Sequence, residues 1–256
     1  MAARVLSISN VKGGVGKTTT TANLGAALNK MGKRVLLVDM DAQASLTLSL
    51  GLMEEQPATI YTALRGESSL SPLTILPGFD IVPSEFDLSG AEAELAKHPN
   101  RDTILRRLLQ PMRERYDYIL VDTPPSPGFY TINAFSASDE VVVVLQAEYL
   151  ALRGMEKFMA LFSLVRKSLN PSLSLGGVVI TQYDGRKSLH RTISEQIEEA
   201  FQGFDGCKVF STRIRSNIAL AEAPTQGEDI FRYSPKSNGA ADYLNLAEEL
   251  DAWEWR

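Results

Sequence analysis

The sequence predicts an α/β fold, in which a mostly parallel, twisted sheet is covered by helices on both faces within a single domain over residues 1–256. Three observations lead to this prediction. Apolar segments with the pattern of buried strands alternate with segments of helical periodicity along the chain. A glycine-rich turn lies between the first strand and the first helix. No linker, internal repeat or low-complexity run interrupts the 256 residues, which suffice for one large domain.

The first strand and helix flank the glycine-rich turn. Residues 4–9 are β-branched and roughly alternating, which predicts a strand. Leu24, Leu28 and Met31 recur at helical spacing, and Gly32 lies where a helix would end. Between these two elements the chain reads N-V-K-G-G-V-G-K-T-T. The order of strand, turn and helix is the context that a phosphate-binding loop requires.

This turn has the chemistry of a nucleotide site. Glycines let backbone N–H groups converge on an anion, and the helix N-terminus adds the positive end of its dipole. In that geometry Lys17 would reach the β- and γ-phosphates, and the Thr18 hydroxyl would ligate Mg²⁺. The strict pattern G-x-x-x-x-G-K-[ST] is not met, because Val11 occupies its first glycine position, and an additional lysine, Lys12, lies in the turn. The strand–turn–helix context disfavours the alternative, a plain glycine turn with two solvated lysines.

Two further apolar strands end in carboxylates. Residues 34–39 and 116–122 end at Asp39 and Asp122, and Asp41 closely follows the first of them. Carboxylates at the C-terminal ends of parallel strands face the crevice where ligands bind. Beside a magnesium nucleotide they can support the metal shell or orient the attacking water. One such aspartate alone could equally cap a helix, so this interpretation depends on the nearby phosphate loop.

The remaining elements are predicted from periodicity. Residues 46–100 are the least regular part of the chain. The predicted helices cover residues 58–65, 87–95, 101–112, 152–165, 189–201 and 236–253. The predicted strands cover residues 79–82, 140–145, 175–181 and 208–211, with Arg213 and Arg215 placed in a loop after the last strand.

Composition excludes several classes of protein. The single cysteine, Cys207, excludes an internal disulfide, a paired-cysteine metal site and a C-x-x-C redox pair. The two histidines, His98 and His190, lie far apart in the sequence and are expected at the surface. The longest uninterrupted apolar run, residues 141–145, is too short to cross a membrane. Because the first strand leaves no room for a signal peptide, we expect a cytoplasmic protein.

The net charge of −5 argues against a protein that coats nucleic acid with its whole surface. The charge is unevenly distributed, however. Residues 151–191 contain seven basic and two acidic residues, a net +5, which leaves −10 on the rest of the chain. One interpretation is an anionic partner for one face, and the other is a set of ordinary solvated helix surfaces.

Six stretches of the sequence together resemble the ParA family. They read K-G-G-V-G-K-T-T, V-D-M-D-A-Q, D-L-S-G-A-E-A-E-L, Y-D-Y-I-L-V-D-T-P-P, Q-A-E-Y-L-A-L and A-E-A-P, and they span nearly the whole chain. This family consists of deviant Walker A ATPases that segregate plasmids and chromosomes or position cargo. No helix-turn-helix extension precedes the loop, so the chain resembles the small, Soj-like subclass. The resemblance implies a single P-loop NTPase domain with ATP and Mg²⁺ as ligands.

The resemblance also implies roles for individual residues. Lys12 matches the additional lysine that reaches across a nucleotide sandwich dimer to the partner's phosphates, and Asp41 matches the acid that orients the hydrolytic water. With Lys17 they form the expected catalytic set. The expected nucleotide contacts are Lys12, Gly13, Gly14, Val15, Gly16, Lys17, Thr18, Thr19 and Gln182. The expected metal site consists of Thr18, Asp39 and Asp122.

The function implied by the resemblance is that of an ATP-dependent switch. Mg-ATP would drive a homodimer that binds DNA without sequence preference, so that the protein associates with the nucleoid. Slow hydrolysis, stimulated by a ParB-like adaptor or cargo protein, would release it. The chain departs from the family at Ala219, where members often carry an arginine, and at Arg153, where an acid is common. The candidate DNA contacts are Arg186, Lys187, Arg191, Arg213 and Arg215.

Other functions compete with this one. A MinD-like membrane ATPase needs a basic amphipathic C-terminal helix, whereas residues 242–256 carry five acids and one arginine. Iron–sulfur relatives need cluster cysteines, which one cysteine cannot supply. A module that binds ATP without hydrolysis would lack Asp41 or Asp122. A metabolic enzyme that phosphorylates a small substrate and an ATPase that positions a protein assembly both remain open.

Overall fold

The structure is a computed structural model that describes residues 2–149, 151–204 and 206–253. Its strands are β1 (Arg4–Ser9), β2 (Val35–Asp39), β3 (Leu73–Leu76), β4 (Phe79–Val82), β5 (Tyr118–Asp122), β6 (Glu140–Gln146), β7 (Ser174–Tyr183) and β8 (Lys208–Arg215). Its α-helices are α1 (Lys17–Lys30), α2 (Ser45–Ser49), α3 (Ile60–Leu64), α4 (Leu88–Glu94), α5 (Ile104–Leu109), α6 (Phe129–Ala137), α7 (Met155–Ser168), α8 (Ser188–Phe201), α9 (Ala219–Glu222), α10 (Ile230–Tyr233) and α11 (Asn238–Asp251). Leu150 of the Q-A-E-Y-L-A-L stretch and residues 254–256 of the acidic C-terminal segment lie outside the described residues.

The strands of the described chain form one eight-stranded sheet in the order β3-β4-β2-β5-β1-β6-β7-β8. Every neighbouring pair is parallel except β3 with β4, which is antiparallel at one edge. The C-terminal ends of the parallel strands therefore lie along one edge of the sheet, where β1, β2 and β5 are adjacent. The mostly parallel α/β fold predicted from the sequence is confirmed.

Helices cover both faces of the sheet and leave its central strands without exposed surface. Buried residues of α1 and α11, such as Leu24 and Leu246, pack on one face. Buried residues of α4 to α8, such as Phe135 and Phe158, pack on the other. The central strands are apolar on both sides for this reason, and every residue of β2 and β5 is buried. The alternation of hydrophobic strands and amphipathic helices thus reflects a sheet between two helical layers.

Several short elements were not predicted from the sequence. They are α2, β3, α6, α9 and α10. Helix α6 is almost wholly buried, so it lacks the polar face that makes a helical period visible in a sequence. Strand β3 has four residues at the sheet edge, none of them buried, and α9 and α10 have four residues each. Leu152, expected within α7, precedes the helix, which begins at Met155.

The placement of Arg213 and Arg215 in a loop was wrong. Both residues lie in β8, which continues to Arg215 and pairs with β7 in parallel. The segment reads K-V-F-S-T-R-I-R, and its three consecutive polar residues, Ser211, Thr212 and Arg213, interrupt the apolar pattern at the predicted end of the strand. As the edge strand of the sheet, β8 has a half-exposed burial pattern, which allows charged residues within a strand.

Candidate functional site

The glycine-rich turn connects β1 to α1 at the C-terminal edge of the sheet. Asn10 fixes its start, since its Nδ2 donates to the carbonyl of Val144 (2.7 Å) and its Oδ1 accepts from the N–H of Lys12 (3.0 Å). Gly14 and Gly16 have positive φ angles of 74° and 91°, which strain any residue with a Cβ. Because Gly16 directly precedes α1, the turn and the first N–H groups of the helix are placed to bind an anion.

The end of β7 holds this loop in position. The Thr181 hydroxyl donates to the carbonyl of Val15 (2.7 Å), and Nε2 of Gln182 donates to the carbonyl of Gly14 (3.0 Å). Gln182 itself has a φ of 51°, in the left-handed region, and its Oε1 accepts from Nε2 of Gln146 (2.5 Å). These contacts satisfy the carbonyls of Val15 and Gly14 and use none of the loop's N–H groups. They place Gln182 beside the loop, as its expected nucleotide contact requires.

Lys17 lies at the centre of the loop with only 7% of its surface exposed. Its Nζ donates to the carbonyl of Lys12 (3.0 Å), so the side chain folds back over the turn. Burial lowers the pKa of Lys17, while the charges of Asp122 and Asp41 act in the opposite direction. The structure thus brings together Lys17, Asp122 and Asp41, which the sequence analysis placed at the same nucleotide site.

Thr18 and Asp122 form the best candidate metal site. The Thr18 hydroxyl donates to Oδ2 of Asp122 (2.7 Å), and the Thr21 hydroxyl donates to Oδ1 of the same carboxylate (3.2 Å). Burial raises the pKa of Asp122, and the nearby Asp39 raises it further. A hydroxyl and a carboxylate at the edge of a phosphate loop are the oxygen donors that Mg²⁺ prefers when phosphates and water complete its shell. The residues present therefore fit the metal.

Asp39 has a different environment from Asp122, its partner in the strand register. Its Oδ2 accepts from the N–H (2.9 Å) and the hydroxyl (2.7 Å) of Thr47, and its Oδ1 accepts from the N–H of Asp41 (3.1 Å). Burial raises the pKa of Asp39. These bonds hold the chain between β2 and α2 in position. Asp39 therefore fixes this segment, in addition to its expected role near the metal.

Asp41 lies at the surface of the crevice. Its Oδ1 accepts from the N–H of Gln43 (3.0 Å), and its carbonyl accepts from the Ser84 hydroxyl (2.7 Å). These bonds leave Oδ2 of Asp41 for a further interaction. The carboxylate is therefore anchored near Lys17 with an acceptor atom available for a water molecule.

Lys12 lies at the rim of the loop rather than inside it. Its Nζ forms an ion pair with Oε2 of Glu148 (2.7 Å), which follows β6, and the two side chains are 37% and 48% exposed. The two lysines of the loop therefore differ, since Lys17 is enclosed by the loop and Lys12 is accessible. Reaching a phosphate would require Lys12 to break its ion pair with Glu148.

A cavity of about 500 Å³ adjoins the loop on the side of β8. Thr19 and Gln182 line it from the loop side, as expected for nucleotide contacts. Its other walls include residues that sequence analysis did not assign to the nucleotide, among them Ile214, Ser216, Asn217, Ile218 and Tyr243. Most of these residues lie just before the A-E-A-P stretch. The sequence analysis associated this segment with DNA binding and therefore did not consider it for nucleotide binding. A nucleotide whose phosphates bound the loop would have room for its base and ribose in this cavity.

Three of the five candidate DNA contacts are exposed at the start of α8. The Arg186 side chain is 91% exposed, although its guanidinium also pairs with Asp184 (2.9 Å). Lys187 is exposed and directly precedes α8. Arg191 is exposed in the first turn of that helix, where Nη1 donates to the carbonyl of Gly185 (2.7 Å). The structure brings these three cations together on one surface.

Arg213 and Arg215 have carboxylate partners on neighbouring helices. Arg213 has a side chain only 16% exposed, pairs with Glu198 of α8 and donates through Nε to the Ser194 hydroxyl (3.1 Å). Arg215 binds both carboxylate oxygens of Asp242, with the closest contact at 2.6 Å, and lines the cavity beside the loop. Their charges are therefore neutralised by neighbouring helices, which their position in β8 explains.

Comparison with known proteins identifies the family. A family model described as an AAA domain matches residues 3–175. The chain is 41% identical over 253 residues to the sporulation initiation inhibitor protein Soj of Bacillus subtilis (strain 168), covering 97% of this chain and 98% of that protein. It is 45% identical over 249 residues to the chromosome-partitioning ATPase Soj of Thermus thermophilus, covering 97% and 96%. The chain belongs to the ParA/Soj family of ATPases.

A solved structure related to this ParA/Soj-family chain contains the expected ligands. The cobyrinic acid a,c-diamide synthase of Mycobacterium smegmatis, solved with a bound ATP analog and magnesium, matches with a TM-score of 0.85 and 35% identity. The match covers 96% of this chain and 93% of that one. The predictions of an ATPase with ATP and Mg²⁺ as ligands are thus confirmed for the family. Within the described residues, no helix is long and apolar enough to span a bilayer.

Proposed function

We propose that this chain is an ATP-dependent switch that partitions plasmid or chromosomal DNA. In the proposed cycle, Mg-ATP brings two copies together, the dimer binds DNA without sequence preference on the nucleoid, and hydrolysis releases it. A ParB-like adaptor protein stimulates the slow hydrolysis. The proposal is supported by relatives that are named for chromosome partitioning, at 41–45% identity over nearly the whole chain.

The position of Lys12 is the observation that carries the proposal. Lys17 is enclosed by its own loop, but Lys12 is at the rim, where among the described residues its Nζ bonds only to the exposed carboxylate of Glu148. A lysine in that position can extend away from its own subunit toward a nucleotide bound by a second copy. Contact with phosphates from both subunits would link dimerisation to ATP and dissociation to hydrolysis.

Within one subunit, the chemistry follows from the contacts around the loop. Lys17 provides a fixed, desolvated cation for the β- and γ-phosphates, and Thr18 with Asp122 would hold Mg²⁺. The metal, when bound, neutralises charge that develops on the phosphate oxygens. The carboxylate of Asp41 accepts a hydrogen bond from the attacking water and orients it.

The proposed DNA face lies at the start of α8. Arg186, Lys187 and Arg191 are exposed there, and they belong to the segment of net charge +5. Two copies of this face in a dimer would double the charge available to one DNA duplex, although the whole chain is acidic. We leave Arg213 and Arg215 out of the proposed face, because each pairs with a carboxylate of a neighbouring helix and their side chains are only 16% and 46% exposed, against 91% for Arg186.

A second candidate is an ATP-dependent enzyme that acts on a small molecule. It is favoured by the solved relative named as a cobyrinic acid a,c-diamide synthase, at 35% identity. The two candidates differ in their dependence on DNA. Hydrolysis by a partition switch responds to DNA and a partner protein, whereas an enzyme of small-molecule metabolism hydrolyses ATP in proportion to its substrate. An ATPase of the same design that positions a protein assembly would share the DNA dependence and differ in cargo.

The test compares dimerisation and DNA binding of wild type with Lys12→Ala. With a non-hydrolysable ATP analogue, wild type is expected to sediment as a dimer and to bind random-sequence DNA, and Lys12→Ala is expected to bind the analogue and stay monomeric. Glu114→Ala, which changes an exposed charge away from the loop, is the control. A Lys12→Ala protein that dimerises as wild type does would contradict the proposed action across the dimer.

A further inference from the structure

Arg153 lies beside the start of the glycine-rich turn, and no step of the proposed cycle uses it. It belongs to the segment between β6 and α7 and is exposed. Arg153 and Lys12 together line two cavities, of about 530 and 520 Å³. The segments that carry them are in close contact, since a Cβ added to Gly154 would lie 3.4 Å from Cγ2 of Val11. Arg153 is therefore a neighbour of the lysine that is proposed to reach a second subunit.

The guanidinium of Arg153 has no carboxylate to neutralise it. Among the described residues, no Asp or Glu side chain lies within 4.0 Å of it. Lys12, by contrast, is held by Glu148 at 2.7 Å. Arg153 is also one of the positions at which the chain departs from its family. An exposed arginine without an ion pair can offer its planar set of donors to an anion from outside the subunit, and no bond within the chain must break first.

The surface around Arg153 has the composition of one that becomes buried on association. Tyr149 is 83% exposed and lines one of the two cavities that Arg153 shares with Lys12. Aromatic and arginine side chains are enriched in protein interfaces. The same surface carries acids as well as bases, among them Glu148 and Glu156, as a surface that meets its own copy in a symmetric dimer requires. The subunit that Lys12 would reach therefore also faces Arg153.

We propose that Arg153 binds the γ-phosphate of the nucleotide held by a second copy of the chain and accelerates its hydrolysis. In this reaction the oxygen of water bonds to the γ-phosphorus, and the bond from that phosphorus to the β,γ-bridging oxygen breaks with its electron pair remaining on ADP. The products are ADP, phosphate and one proton, which is released to solvent. Negative charge develops on the bridging oxygen and the γ-phosphate oxygens, where a guanidinium from the facing subunit stabilises it.

The inference rests on the proposed function, because it needs the ATP-bound dimer. DNA is the competing anion, since Arg153 also lines a smaller cavity of about 210 Å³ with Ile193 and Gln196 of α8. The nucleotide is favoured because the two larger cavities beside Arg153 are those that it shares with Lys12. Binding to DNA is therefore treated as an outcome of the test.

The experiment uses mixed dimers, because they separate action within a subunit from action across the dimer. Arg153→Gln removes the guanidinium, and Asp41→Asn impairs the orientation of water in its own subunit. In a mixed dimer, only the nucleotide on the Arg153→Gln subunit has an intact Asp41, and it faces the intact Arg153 of the other subunit. Action across the dimer therefore predicts that mixing two slow proteins restores hydrolysis, whereas action within a subunit predicts no restoration.

Phosphate release is measured with saturating ATP, at protein concentrations where sedimentation shows complete dimers. Energy transfer between differently labelled subunits confirms that mixed dimers form, and thermal melts check that each variant is folded. Lys157→Gln is the matched control, because Lys157 is exposed and lines one of the same cavities. Among the described residues it too has no ion-pair partner within 4.0 Å.

Arg153→Gln should hydrolyse ATP at least about tenfold more slowly than wild type. Arg153→Lys should be intermediate, since it keeps the charge but not the planar pair of donors. An equal mixture of Arg153→Gln and Asp41→Asn should recover about one quarter of the wild-type rate, because half of the dimers are mixed and each of these has one complete site. Lys157→Gln should hydrolyse ATP as wild type does.

The inference is overturned if Arg153→Gln hydrolyses ATP at the wild-type rate, or if the mixture releases phosphate no faster than its two components do separately. Unchanged hydrolysis together with a DNA-binding salt slope lower by about one would show that Arg153 contacts DNA instead. Loss of dimers in Arg153→Gln at every protein concentration would also overturn it, since the arginine would then hold the interface. A wild-type protein that neither dimerises with ATP nor hydrolyses it would instead refute the proposed function.

Discussion

Replacing Glu148 with glutamine should make ATP-dependent dimerisation tighter. In the single chain, Oε2 of Glu148 holds Nζ of Lys12 at 2.7 Å. If Lys12 acts on the nucleotide of a second subunit, that ion pair must break in each subunit before the dimer can form. Glu148→Gln keeps the size of the side chain and removes the charge that competes for Lys12.

The size of the effect follows from the exposure of the pair. The side chains of Lys12 and Glu148 are 37% and 48% exposed, so the pair belongs to the solvent-screened class worth about 0.2–1 kcal/mol. A symmetric dimer breaks two such pairs, which opposes dimerisation by about 0.4–2 kcal/mol. The association constant for dimerisation of Glu148→Gln should therefore be about twofold to thirtyfold higher than that of wild type. The gain should shrink as salt is added, because salt weakens exposed ion pairs such as this one.

Sedimentation velocity with a non-hydrolysable ATP analogue measures this dimerisation constant over a range of protein and salt concentrations. Glu156→Gln is the matched control, because Glu156 is also exposed near the rim of the loop but makes no ion pair with Lys12. The control should dimerise as wild type does. Unchanged or weaker dimerisation of Glu148→Gln would refute the argument that this ion pair restrains Lys12.

Four further predictions concern the nucleotide site, the DNA site and Arg213. Lys17→Ala should lower ATP affinity by about tenfold to a hundredfold in calorimetric titration, because it removes charge-assisted hydrogen bonds to phosphate; unchanged affinity would contradict the site. Asp41→Asn keeps the side-chain oxygen that accepts from the N–H of Gln43 but removes the charge, so phosphate release should fall by about 10²–10⁴-fold while ATP binding and dimers persist. Lys187→Ala and Arg191→Ala should each weaken ATP-dependent binding to all DNA sequences and lower the salt slope by about one. Arg213→Ala should leave that slope unchanged and lower the melting temperature, because it removes the partner of a carboxylate on α8.

The sequence could predict the part of the site that a contiguous motif encodes. The loop, α1 and the strands that end at Asp39 and Asp122 lie where their patterns placed them. These elements are long or strongly apolar, and a phosphate loop has few conformations open to it because its glycines require positive φ. Packing of the parallel strands then places Asp39 opposite Asp122, as neighbouring strands require.

The other features of the site depend on contacts between residues that are far apart in the chain. Thr181 and Gln182 hold the loop from a strand more than 160 positions away, and no local pattern indicates this. The charge of Arg215 is likewise cancelled by Asp242 of α11, 27 positions later. A count of charges along the sequence treats Arg213 and Lys187 alike. Only the folded chain distinguishes the paired cation in β8 from the exposed one at the start of α8.

The two lysines of the loop likewise look alike in the sequence but differ in the folded chain. This difference bears on how the proposed switch would work. In the sequence, Lys12 and Lys17 are five residues apart in one glycine-rich segment, and either could be a phosphate ligand. In the structure, Lys17 is 7% exposed and bonded to its own loop, so it cannot leave without exposing a site built around it. Lys12 is held by a single exposed ion pair, whose loss costs about 1 kcal/mol or less. In the proposed cycle, a second subunit that offers Lys12 a γ-phosphate would need to outweigh only this small cost, and removal of that phosphate by hydrolysis would let Lys12 return to Glu148.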